Sequence, residues 1–177
     1  MLAHSQKSIS RQIIILAIPI IFSNLSRVVM GLADMAMVSR LGAVSLAATG
    51  MGSLLLWVIM SMGIGLRTAV QTVASRRLGQ KNYSECGHAL HNGMMLAVAI
   101  GIPATLLGTK YTLEIAGLFL DDPDVITVCS DYMFYGIFGI LFTLFGFVFQ
   151  GFYTGVEQTK VHMKVTITSN IINVYLN

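Results

Sequence analysis

Three polar side chains share one stripe of an otherwise apolar run near the start of the sequence. Ile20, Asn24, Arg27, Gly31 and Asp34 are spaced by four, three, four and three residues, which puts them on one face of a helix. An ionisable residue inside an apolar helix costs free energy, so it points to an ion or substrate pathway. Asp34 can take up a proton or a cation and change its charge state. The competing assignment is a carboxylate solvated near a membrane surface. Arg27 lies about 10.5 Å from Asp34 along a helix axis. A direct ion pair would need an extended guanidinium and a bent helix, and Arg27 can equally neutralise another acid or reach water in a cavity. Pro19 removes one backbone hydrogen bond and predicts a bend in the same helix.

Near the other end, Asn170, Asn173 and Asn177 recur at three and four residues and form a second polar face. Hydrogen bonding between helices and a substrate or ion site are both open there. Arg67, with Gln71 and Thr72, lies towards one end of another apolar run, where its charge can snorkel to the membrane surface. His88 and His91 are three residues apart but gain no third ligand, so no metal is assigned. The sequence holds no nucleophile motif, phosphate loop or dinucleotide fingerprint, and it is expected to be neither an enzyme nor dependent on a cofactor.

The elements that carry these residues are set by composition. Of 177 residues, 55% are hydrophobic and only 11% charged, with mean hydropathy +0.74. Soluble domains carry about 25% charged residues. Stretches 49–66 and 134–149 contain no charge at all. Such runs suit membrane helices, which need about 18 or more apolar residues, and not the short alternating strands of a barrel. The fold class is therefore all-α, a polytopic transmembrane helix bundle. Five spans are predicted, at about 13–38, 48–74, 87–107, 124–155 and 163–177. The first contains Asn24, Arg27 and Asp34 and lacks a cleavage site, so it reads as a retained span and not as a signal peptide. Asp122-Pro123-Asp124 supplies a capping oxygen, a first-turn proline and negative charge for the dipole, which starts the fourth helix near Pro123. Val165 to Asn177 would give only about 20 Å of helix against a hydrocarbon core of about 30 Å. The fifth span is thus expected to be cut short, and the chain to be a fragment.

Charge sets the orientation. With the N-terminus cytoplasmic, Lys7, Arg11, Arg76, Arg77, Lys81, Lys160 and Lys164 fall inside, and only Arg40 and Lys110 outside. That is the positive-inside pattern. The net charge of +3 comes from these loops and not from a basic stripe interleaved with aromatics, so no nucleic-acid partner is expected. Cys86 and Cys129 fall on opposite sides and are not expected to form a disulfide.

Several segments together resemble the multidrug and toxic compound extrusion (MATE) transporters. They are Gly31-Leu-Ala-Asp34-Met-Ala-Met-Val-Ser-Arg-Leu41-Gly42 with Ser45-Leu-Ala-Ala48, and Val73-Ala-Ser-Arg76-Arg-Leu-Gly79-Gln-Lys-Asn82. Phe119-Leu-Asp-Asp-Pro123-Asp, and Gln150-Gly151 through Gly155-Val-Glu-Gln-Thr159-Lys160 with Asn170 and Asn173, complete the set. The resemblance implies twelve helices in two six-helix lobes with alternating access, of which this chain covers most of the first. A second, C-terminal lobe and the lipid bilayer are then its partners, and the bacterial or archaeal cytoplasmic membrane its place. It implies an antiporter coupled to H⁺ or Na⁺ that exports drugs or other organic cations. By resemblance, Asp34 matches the cation-coupling carboxylate and Pro19 the bending proline. Asn24, Arg27, Asn173 and Asn177 fall to the substrate or ion cavity. Asn177 stands where the family often has an acid, and the fourth helix offers only Thr143 and Gln150, so no ligand is carried over there. A flippase for lipid-linked precursors and a non-transporting membrane scaffold are the alternatives.

Overall fold

The computed structural model describes residues 2–176 and places seven α-helices among them. They are α1 (Leu2–Val38), α2 (Ala43–Gly79), α3 (Tyr83–Lys110), α4 (Thr112–Gly117), α5 (Pro123–Phe138), α6 (Ile140–Gly155) and α7 (Thr159–Leu176). A 3₁₀ turn, Ser39–Leu41, joins α1 to α2 through Gly42. Gly42 has φ of +104°, a conformation that side-chain-bearing residues rarely adopt. Between α2 and α3 the turn closes on Asn82, whose side-chain oxygen accepts the Glu85 N–H at 3.3 Å. At the start of α5, Asp122 accepts the Asp124 N–H at 2.9 Å, with Pro123 in the first turn. Each is an N-terminal cap of the kind short polar side chains provide.

Three segments, Ile13–Leu41, Ala43–Gly79 and Tyr83–Lys110, are each long and apolar enough to cross a membrane. The run predicted as one span over 124–155 is two helices, α5 and α6, bent by 50° at Gly139. Together they make the fourth candidate span. The bend has a local cause. The Gly139 N–H bonds to the Gly136 carbonyl at 3.1 Å, three residues back. The Gly139 carbonyl then takes both the N–H of Thr143 at 2.9 Å and its hydroxyl at 3.0 Å. Closely spaced glycines with a tightened turn are a common origin of helix kinks. Around Pro19, by contrast, α1 continues as one helix. The buried Ser23 hydroxyl donates to the Pro19 carbonyl at 2.9 Å. α7 begins at Thr159, earlier than predicted, and is not among the helices long and apolar enough to span. Asn177 lies outside the described residues.

The helices form two groups. α2 packs against α3, α5 and α6, while α1 packs chiefly along α7. Leu56, Val70, Met133, Ile137, Leu144 and Val148 are buried in the first group. Many apolar side chains, among them Ile21, Phe22, Leu25, Val28 and Leu32 on α1, remain exposed, as lipid permits. In lipid no hydrophobic gain drives one helix onto another, so close approach through small residues must do it. α2 and α6 meet in this way. A Cβ on Gly151 would strike the Arg67 carbonyl oxygen, and one on Gly155 would lie 2.7 Å from the carbonyl oxygen of Gln71.

Candidate functional site

The two helix groups leave a cavity of about 770 Å³ between them, lined from α1, α2, α6 and α7. On α2, Trp57, Met60, Ile64 and Arg67 turn one face into it, as their spacing of three and four dictates. α6 contributes Thr143, Phe147, Gln150 and Tyr153; α7 contributes His162, Thr166, Ser169 and Asn170; α1 contributes Arg27. The volume falls within the range of about 300–1,000 Å³ usual for small-molecule sites. Its wall is largely aromatic and aliphatic, with a few converging polar groups.

The charged groups among them, Arg27 and Arg67, share one sign. Arg27 and Arg67 lie close enough for electrostatic repulsion, and both act on His162. Neither arginine has an ion pair among the described residues, where the only salt bridge is Arg77 to Glu85 at 3.9 Å, in the α2–α3 turn. None of the eight Asp and Glu residues lines the cavity. His162 Nε2 is buried with no hydrogen-bond partner among the described residues. The position of Arg67 is fixed from behind, because Gly151 presses on its backbone carbonyl. Arg67 therefore faces the cavity, whereas its place along α2 had suggested a side chain reaching only for the membrane surface. Its partners there lie on other helices, and no feature of its own helix announces them.

The predicted polar stripe of α1 is not the face that packs. The seam of α1 runs through Pro19, Ser23, Ser26 and Met30, which are buried or half-buried. Asn170 Nδ2 on α7 donates to Ser26 Oγ there at 2.7 Å. Ile20, Asn24, Arg27 and Gly31 each come one position after a seam residue, and so are rotated by about 100° from it. Of the stripe, Arg27 reaches the cavity, while Asn24 and Asp34 are exposed and do not line it. Asp34 makes no ion pair or hydrogen bond among the described residues, and Tyr132 on α5 is within its electrostatic reach. On α7, Asn170 lines the cavity and bonds to α1, and Asn173 is not among the residues that line the cavity. His162 was not foreseen. A histidine at the start of an amphipathic helix carries no signal until the opposing arginines are located. His88 and His91 are both exposed on α3, and the buried Cys86 and Cys129 are free thiols.

Comparison with known proteins gives consistent results. The sequence profile of the MatE family matches residues 19–177. A probable multidrug resistance protein NorM from Photorhabdus laumondii is 25% identical over 169 residues, covering 94% of this chain and 37% of that protein. One of the same description from Geobacillus kaustophilus is 28% identical over 168 residues, with the same coverage. The chain thus spans about 37% of the length of these curated relatives. Among solved structures, an outward-facing multidrug resistance MATE transporter of the MOP superfamily aligns with TM-score 0.88 at 21% identity, over 93% of this chain and 37% of that one. A MOP-superfamily transporter from Pyrococcus furiosus aligns with the same TM-score and identity, over 93% of this chain and 36% of that one.

Proposed function

The chain belongs to the MatE family, and on that premise we propose that it forms the first lobe of a cation-coupled exporter of drugs and related organic molecules, working with a second lobe outside this sequence. The observation that carries the proposal is the cavity of about 770 Å³ lined by α1, α2, α6 and α7, large enough for a drug-sized molecule. The relatives' description as multidrug resistance proteins supports drug export over lipid-precursor flipping and over a purely structural role.

Coupling is assigned to Asp34, an acid inside the first apolar span and away from its ends. Its exposed face of α1 would look towards the opposing lobe. In this scheme H⁺ or Na⁺ enters at Asp34 from outside and neutralises a carboxylate that is costly in a closed, dry cleft. The bound cation then shifts the balance between two conformations by its differential affinity for them. Alternating access of this kind rests on two lobes rocking about a site between them. The N-terminus is assigned to the cytoplasm, in a bacterial or archaeal cell membrane. The cargo is a small organic molecule. An organic cation, expected from the family resemblance, draws no support from this lobe's cavity, where no acid faces the cargo.

The test is gradient-driven export by this chain together with the proposed second lobe, reconstituted in liposomes. Dye extrusion should follow an imposed H⁺ or Na⁺ gradient and stop when the gradient is collapsed. Extrusion indifferent to both gradients would rule out the coupling scheme.

A further inference from the structure

We infer that the cavity between α1, α2, α6 and α7 is a binding site for an amphipathic organic anion, with the anionic group held by Arg27 and Arg67. The inference deepens the export reading by naming the ligand class of its first-lobe cavity, and it rests on that reading for the ligand's role as cargo.

Charge is the first ground. Two guanidiniums that repel each other sit in one cavity with no acid on its wall. Arg67 is half-buried and Arg27 more exposed, and among the described residues neither guanidinium has a carboxylate partner. A carboxylate, sulfonate or phosphate entering from outside completes the arrangement. Arginine suits this task, because its planar fork matches such oxyanions with two parallel hydrogen bonds.

Hydrogen bonding is the second ground. His162 Nε2 is buried and unpartnered among the described residues, and its residue lines the same cavity. With its proton on Nε2 it would donate to an oxyanion held by the two arginines. Shape is the third. Trp57, Phe147, Phe149 and Tyr153 line the rest of the wall and offer flat apolar surface to the body of an aromatic ligand. A small inorganic anion would leave that surface idle, so the ligand has both a charged head and an apolar body.

The protein carries its own reporter. Trp57 is its single tryptophan and lines the site, so energy transfer from Trp57 to a dansyl group reads occupancy directly. The chain, purified into phosphatidylcholine nanodiscs, is titrated with two probes of equal body and opposite charge, dansylglycine and a dansyl quaternary ammonium. The anionic probe should bind about tenfold or more tightly than the cationic one. Arg27→Gln and Arg67→Gln should each weaken the anionic probe about tenfold or more, as loss of a hydrogen bond to a charged group does. Arg67→Lys keeps the charge but not the fork, and its affinity should fall between those of the unmodified protein and Arg67→Gln. Helical circular dichroism verifies that each variant is folded, and the probe preference of the unmodified protein requires no variant.

An anionic lipid headgroup could supply the same chemistry. Adding phosphatidylglycerol to the nanodiscs separates the two sources. Competition that disappears in the arginine variants identifies a lipid occupant and sustains the anion site, whereas absence of competition identifies a soluble anion and sustains it too. Equal or tighter binding of the cationic probe would overturn the inference. So would an anionic-probe signal that survives loss of both arginines. Because no gradient is applied, failure here leaves the export reading standing, and failure of gradient-driven export leaves this binding result intact.

Discussion

Asp34→Asn keeps the size and polarity of the side chain and removes its charge, so it separates coupling from folding. Asp34 holds no ion pair or hydrogen bond among the described residues, and an unpaired charge in an apolar helix is a cost to the fold. Gradient-driven export by the proposed two-lobe exporter should collapse, while membrane insertion and the thermal unfolding midpoint stay the same or rise. Normal export by this variant would reduce Asp34 to a solvated interfacial residue. Asn170 tests a structural contact at the same scale. Its hydrogen bond to Ser26 at 2.7 Å ties α7 to α1, and such bonds between membrane helices average about 0.6 kcal/mol and reach about 1.7. A double-mutant cycle of Asn170→Ala and Ser26→Ala, measured by unfolding in detergent, should give a coupling energy in that range. Zero coupling would show that the bond does not hold the pair.

Between elements, the contact of α2 with α6 depends on two absent side chains. Gly151 and Gly155 are four residues apart and lie against the backbone of Arg67 and Gln71. Backbone cannot move aside as the end of a flexible side chain can. Gly151→Ala should therefore destabilise by about 1–3 kcal/mol, the usual cost of overpacking. Gly65, on the same α2 helix, meets nothing within 4 Å. Gly65→Ala should be neutral or stabilise by roughly 0.5–1 kcal/mol, because alanine loses less backbone freedom in a helix. Thermal unfolding of both variants in one detergent decides the matter, and equal effects would contradict the α2–α6 seam. Since that seam holds the Arg67 backbone, Gly151→Ala should also disturb the cavity.

At the scale of the whole molecule, the chain spans about 37% of its curated relatives, and transport by alternating access needs an opposing lobe. Residues 1–177 alone, in liposomes with an imposed H⁺ or Na⁺ gradient, should extrude no dye. Robust gradient-driven export by this chain would refute the two-lobe mechanism. The orientation is open to a direct test as well. A single cysteine at Asn82, in a chain whose Cys86 and Cys129 have been replaced, should react with an impermeant reagent only from the cytoplasmic side. Labelling from outside would invert the topology.

Local physics was legible in the sequence, and the meeting of faces was not. Long apolar runs dictate helices, because a backbone in lipid must satisfy its own hydrogen bonds. Asp122-Pro123 marks the start of α5 because a cap acts within one turn. The family resemblance rests on segments of the same local kind. The break at Gly139 has a local cause too, in glycines three residues apart, but apolar length alone reads 124–155 as one span. The α1 stripe at Asn24, Arg27 and Asp34 was visible as polar. That the seam with α7 lies about 100° away, at Ser23, Ser26 and Met30, depended on the partner helix. Arg27, Arg67 and His162 belong to three different helices, and each has an unremarkable local setting. Only the rotation and depth of those helices bring the two guanidiniums and the imidazole to one cavity. Close contacts such as Gly151 on Arg67 set that rotation, and they are relations between distant residues that no helical period records.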